Sequence, residues 1–127
     1  MCYKMASPEE ILEELLSVPG VEAAVAADKD GLLLASAGIK EDDQGSDMDA
    51  LGAVASGALS SAEYVGEEFK KGVLERVVLE YLEGKVILQQ VGNDVVLAIF
   101  ASKDANLGIV RLTIKRKQDE IAKAFSF

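Results

Sequence analysis

The run Val95-Val96-Leu97-Ala98-Ile99-Phe100-Ala101 is the tightest constraint on how this chain can fold. A strand with one face in water alternates apolar and polar residues, and this one does not alternate. The run therefore predicts a central strand covered on both faces, with helices on the two sides of one sheet. It is only about a third of the length that a membrane-spanning helix needs.

The remaining pattern supplies that sheet and those helices. Ser7-Pro8-Glu9-Glu10 reads as a helix start, with Ser7 as cap, Pro8 at the first helical position and Glu10 completing a capping box. Ile11, Leu12, Leu15 and Leu16 then line one side, and Pro19-Gly20 ends the helix. Val21 to Ala27 and Leu32 to Ala37 form a hairpin across the turn Asp28-Lys29-Asp30-Gly31. Gly38 to Ser46 is a polar, acidic loop. Asp47 to Lys71 is a long helix, capped by Asp47 and closed by Lys70, Lys71 and Gly72, in which Met48, Leu51, Ala55, Ala58, Ala62, Val65 and Phe69 form the stripe expected to be buried. Three strands follow: Val73 to Leu82, Lys85 to Val91 and the central run. Asp104 is the expected cap of a last helix, Leu107 to Phe125, lined by Leu107, Val110, Ile114, Ile121 and Phe125.

The order helix, strand, strand, helix, strand, strand, strand, helix, with tight turns between strands, predicts an α+β fold with a largely antiparallel sheet. With 127 residues, one domain over 7–127 is expected, preceded by a flexible segment 1–6. Met1 to Met5 contains no apolar run, so no secretory signal is read there, and the cytoplasm is the simplest compartment.

Composition removes much chemistry. Without any His and with one Cys, no Ser-His-Asp triad, Cys-His pair or His/Cys zinc site can form. Cys2 is expected to be an idle thiol. A net charge of -9 disfavours nucleic acid and anionic membrane surfaces as partners. Five basic residues (Arg111, Lys115, Arg116, Lys117, Lys123) against Asp119 and Glu120 nevertheless make the last helix basic, which suits a protein partner or simply a solvated surface.

The acidic clusters do not read as sites. Glu41-Asp42-Asp43 with Asp47 and Asp49 lacks the ligand spacing of a calcium loop. Asp28-Lys29-Asp30-Gly31 would need ligands at Leu32 and Leu34. Glu75 and Glu80 are an odd number of residues apart, so a regular strand turns them to opposite faces. No glycine sits in a phosphate-binding loop, and Tyr3, Tyr64 and Tyr81 are too scattered to stack bases. Neither a metal nor an organic cofactor is expected.

The long helix is unusual on its other side. Opposite the expected buried stripe lie Asp49, Ala53, Ser56, Ser60, Glu63, Glu67 and Lys70, flanked by Gly57 and Tyr64. Gly52, Gly57 and Gly66 each cost about 1 kcal/mol relative to Ala within a helix, which implies a compensating close contact. Either the domain itself covers this side, or a second helix packs on it, most simply that of a second copy. The strand Val73 to Leu82 gives a second signal. Placed at a sheet edge, it needs protective charges such as Glu75, Arg76 and Glu80, or an edge partner, with Arg76 facing a symmetry-related Glu75 or Glu80.

Pro19-Gly20-Val21-Glu22-Ala23-Ala24-Val25, Asp30-Gly31-Leu32, Ala35-Ser36, the small-residue helix from Asp47 and Asn106-Leu107-Gly108-Ile109-Val110-Arg111 together resemble the roadblock (dynein light chain) family. The likeness extends over about Ser7 to Phe125. It implies a five-stranded antiparallel sheet of roadblock/profilin-like type, with the central helix on one face and the terminal helices on the other. It also implies a homodimer formed by the third strands and central helices. On this chain that interface would comprise Ala53, Ser56, Gly57, Ser60, Tyr64, Val73, Glu75, Arg76, Val77 and Leu79. The resemblance further implies a non-enzymatic regulator or adaptor of a Ras-like small GTPase, contacted through Asp49, Gly52, Leu59, Glu63 and Glu67. A dimeric scaffold subunit and a small-ligand sensory domain are the alternatives. Arg76 is the only arginine outside the last helix, so binding that biases switch loops is expected rather than an inserted arginine.

Overall fold

The computed structural model describes residues 7–38 and 48–125, with residues 48 and 49 described by backbone alone. The segment 1–6 with Cys2, the acidic loop Glu41-Asp42-Asp43, the Asp47 cap and the Asp49 side chain lie outside the described residues.

Helix α1 (Pro8–Leu15) begins as its sequence dictates: Ser7 Oγ accepts the Glu10 N–H at 3.2 Å. Strands β1 (Val21–Asp28) and β2 (Leu33–Ala37) form the hairpin. Its turn is closed by Asp28, whose carboxylate accepts the N–H groups of Asp30 and Leu32, both at 2.9 Å. That carboxylate is committed to the turn's own backbone, and Gly31 supplies the left-handed conformation with φ +89°. After α2 (Met48–Glu68) come β3 (Val77–Tyr81), β4 (Gly84–Val91), β5 (Val95–Ser102) and α3 (Leu107–Ala124).

All strand pairs are antiparallel, in the order β2-β1-β5-β4-β3. The apolar run is thus the middle strand of five. Val95, Leu97 and Ile99 join Ile11, Leu12, Leu15, Val110, Ile114 and Ile121 in a core beneath α1 and α3. Val96 and Ala98 join Val25, Leu88, Ala55 and Leu59 in a thinner core beneath α2. Lys117 of α3 pairs with Glu14 of α1 across the first layer.

Three local expectations are corrected. The α3 cap is Asn106, whose Oδ1 accepts the N–H groups of Gly108 at 2.9 Å and Ile109 at 3.3 Å, rather than Asp104. Helix α2 ends at Glu68, before Lys71. The Lys71 N–H reaches Gly66 O at 2.8 Å and the Lys70 N–H reaches Glu67 O at 3.3 Å, so Lys70 rather than Gly72 is the left-handed closing residue, with φ 55°. The third strand begins at Val77, so Val73, Glu75 and Arg76 precede it.

Candidate protein-interaction surface

Helix α2 sits on the sheet through its first half. A Cβ added to Gly52 would stand 2.7 Å from Gly31 O, so the missing side chain lets the helix touch the hairpin turn. One turn later the Ser56 hydroxyl donates to Asp28 O at 2.7 Å, and Leu59 continues the line into the core. Gly52, Ser56 and Leu59 therefore face the sheet, and Ser56 is only 5% exposed. Their expected places in the dimer and partner surfaces are corrected accordingly. The packed side of α2 is rotated by roughly 90° from the expected stripe, taking 100° per residue.

That rotation divides the expected stripe. Ala55 is buried and Ala58 and Ala62 are half-buried, whereas Val65 and Phe69 are 56% and 70% exposed. Val54, absent from the expected stripe, is exposed as well. Beside this uncovered flank lies an apolar apron on the same face of the sheet. Val77, Leu79, Val86 and Phe100 pack against the α2 core but remain half-buried. Register fixes the apron: Val77 pairs with Leu88, Leu79 with Val86, and Val86 with Phe100.

The apron ends at an open strand edge. β3 pairs with β4 on one side and has no strand on the other among the described residues. Val78, Tyr81 and Leu82 are exposed along and beyond it. Val73 is 93% exposed in the segment before it. An edge with this apolar content, which no element covers among the described residues, invites pairing. Arg76, expected to face a second copy, contacts Glu75 within the single chain at 3.4 Å.

The side of α2 pointing away from the sheet carries small residues, Ala53 and Gly57, at its centre. Ala53, Gly57 and Tyr64 are exposed there, and Ser60, Glu63 and Glu67 are exposed on the flank that turns toward Gln90 and Gly92. The three helical glycines have three different explanations. Gly52 is compensated by the hairpin turn, and a Cβ on Gly66 would lie 3.4 Å from Gly72 O. Around Gly57 no atom lies within 4 Å of an added Cβ, so nothing in the described chain rewards its presence. Sequence reasoning named Val77 and Leu79 of the apron but missed Val54, Val86 and Phe100, and it expected Val65 and Phe69 to be buried because α2 is apolar on two sides. The signal available was the pair Gly31 and Gly52, which marks the close approach.

Beneath the middle of α2 a space of about 60 Å³ is lined by Ser56, Leu59, Ser60 and Val96, and beneath its second half an open groove of about 710 Å³ is lined by Glu63, Gly66, Glu67 and Lys70 with Gln90 and Gly92. Among the described residues no His/Cys/Asp/Glu group could hold a metal, and no helix is long and apolar enough to cross a membrane.

The chain is 32% identical to the uncharacterised protein MJ0310 of Methanocaldococcus jannaschii over 117 residues, covering 92% of this chain and 98% of the relative. A second uncharacterised protein of that organism, MJ1340, is 31% identical with the same coverage. Among solved structures, a Roadblock/LC7 domain from Streptomyces avermitilis superposes with a TM-score of 0.83 at 22% identity, covering 93% of this chain and 97% of that one. Myxococcus xanthus MglB superposes with a TM-score of 0.81 at 24% identity, covering 93% and 94%. The fold also extends to profilin IB of Acanthamoeba castellanii, at a TM-score of 0.62 and 16% identity, covering 94% and 100%. These likenesses establish the roadblock/profilin-like architecture that the family resemblance implied. The Roadblock/LC7 domain model matches residues 8–101, and with that the chain belongs to the Roadblock/LC7 domain family.

Proposed function

We propose that this protein is a cytoplasmic, non-catalytic homodimer that binds a Ras-like small GTPase and modulates its nucleotide cycle or localisation. One observation carries the reading: the uncovered flank of α2 runs onto an apolar apron that ends at an open strand edge. In the proposed dimer two β3 edges pair antiparallel, and each α2 lays Val54, Val65 and Phe69 against the other subunit's apron. Ala58, Ala62, Val77 and Leu79 form the seam. Apolar burial of this kind supplies about 25 cal/mol per Å² before the costs of association.

The dimer leaves the small-residue sides of both α2 helices outward as a platform. Ala53, Gly57, Ser60 and Tyr64 thus move from the expected dimer interface to the partner surface, joining Glu63 and Glu67. Small residues at its centre let a partner's backbone approach closely, and Tyr64 supplies an aromatic anchor of the kind enriched at interfaces. The family membership and the absence of His support regulation by contact rather than by catalytic side chains. One of the solved MglB structures that share this fold has a tetrameric arrangement, so assembly beyond one subunit is compatible with it.

The test is capture of a Ras-like small GTPase from the source organism, loaded in parallel with GDP and with a non-hydrolysable GTP analogue. Retention that depends on the nucleotide supports regulation, and equal retention of both forms supports a scaffold instead. Gly57→Arg places a large cation where the chain has open space. It should leave folding and dimerisation intact while reducing GTPase retention at least tenfold. A Gly57→Arg protein that retains the GTPase normally contradicts the platform.

A further inference from the structure

A second surface lies on the α3 side, outside the proposed dimer contact and GTPase platform. The segment before β3, the end of β4 and the first half of α3 enclose an open groove of about 820 Å³. Its walls include Leu74, Arg76, Gln89, Arg111, Leu112 and Lys115, together with Ile109. Ile109 and Leu112, one helical turn apart, are both exposed on α3 and form an apolar ridge.

The groove has the opposite charge to the molecule. The chain carries -9 overall, yet Arg76, Arg111 and Lys115 line this groove against Glu75 alone. Its polar wall is also under-satisfied. Arg76 Nε and Gln89 Oε1 are buried without a hydrogen-bond partner, and both residues belong to the wall of this groove. A buried polar atom left unpaired costs about 1–3 kcal/mol. The contact from Arg76 Nη1 to Glu75 is 3.4 Å long and Glu75 is exposed, so it satisfies the guanidinium poorly.

The geometry points to this groove as a docking site for an acidic amphipathic segment of a partner protein. Apolar side chains of the segment cover Ile109 and Leu112, while its carboxylates reach Arg76, Arg111 and Lys115. Arg76 offers the planar fork that a carboxylate fits bidentately. The distance along α3 from Ile109 to Gln118 is about 14 Å at 1.5 Å per residue, room for two to three turns of a helix. Helix α1 of a second copy does not meet the requirement. It is acidic outside, but its Ile11, Leu12 and Leu15 are buried in its own core.

The probe is a fluorescein-labelled helical peptide of about twelve residues, with leucine along one side and glutamate along the other. Binding to the full chain is followed by anisotropy and by amide shifts of the labelled protein. The peptide should shift the amides of Ile109, Arg111 and Leu112. Arg111→Glu and Lys115→Glu should each weaken it at least tenfold. Arg116→Glu makes the same charge change on an exposed part of α3 outside the groove and should weaken it less than twofold. Equal losses for all three variants would reduce the effect to net charge and overturn the proposal. Absence of binding, equal binding of a leucine–lysine peptide, or full competition by inorganic phosphate would overturn it as well.

Discussion

At the scale of single residues, glycine and serine on α2 carry different information from what their class suggests. Ser56 belongs to the fold, since its hydroxyl ties α2 to the end of β1. An Arg there would report unfolding rather than an interface. Gly57 has no such role, which makes it the residue where a large substituent tests function alone. Lys70 is the converse case, a side chain held at φ 55° where glycine is the easy choice. Left-handed backbone costs an L-residue about 1–2 kcal/mol, of which glycine's greater unfolded-state freedom takes back part. Lys70→Gly should therefore stabilise the chain by about 0.5–1 kcal/mol in urea unfolding, with an unchanged slope. Destabilisation would show that the Lys70 side chain contributes more than its backbone strain costs.

At the scale of elements, most of the architecture was legible. The unbroken apolar run became the middle strand because only burial on both faces tolerates Val95, Leu97 and Ile99 together with Val96 and Ala98. The hairpin was legible because Asp28 and Gly31 have the turn chemistry that the backbone needs. The facing of α2 was not. Its apolar residues cover two sides, and which side meets the sheet is decided by a tertiary contact between Gly52 and Gly31 O. The long third strand was also overread, since Val73 to Arg76 has strand-like composition but no partner strand in register. The start of α3 turned on one residue: Asn106 stands next to the helix and satisfies two of its free N–H groups, whereas Asp104 is two residues too early. Asn106→Ala should cost about 1 kcal/mol by thermal or urea unfolding. Asp104→Ala should cost no more than a few tenths, and the reverse order would contradict the cap assignment.

At the scale of the molecule, the two faces of the sheet differ in how completely they are covered. Two helices close the α1 and α3 side into a thick core, but one helix covers the other side only in part. Val65, Phe69, the apron and the β3 edge are what that incomplete cover leaves open. The central claim is that a second copy completes it. Sedimentation equilibrium at micromolar concentration tests this most directly, with Val65→Lys run beside the parent chain. Val65 is exposed in the single subunit, so the variant should keep its fold by circular dichroism. The account predicts a parent mass twice the 13.5 kDa of one chain and a Val65→Lys mass close to 13.5 kDa. A parent that sediments as a single chain, or a folded Val65→Lys that stays paired as tightly as the parent, would contradict it.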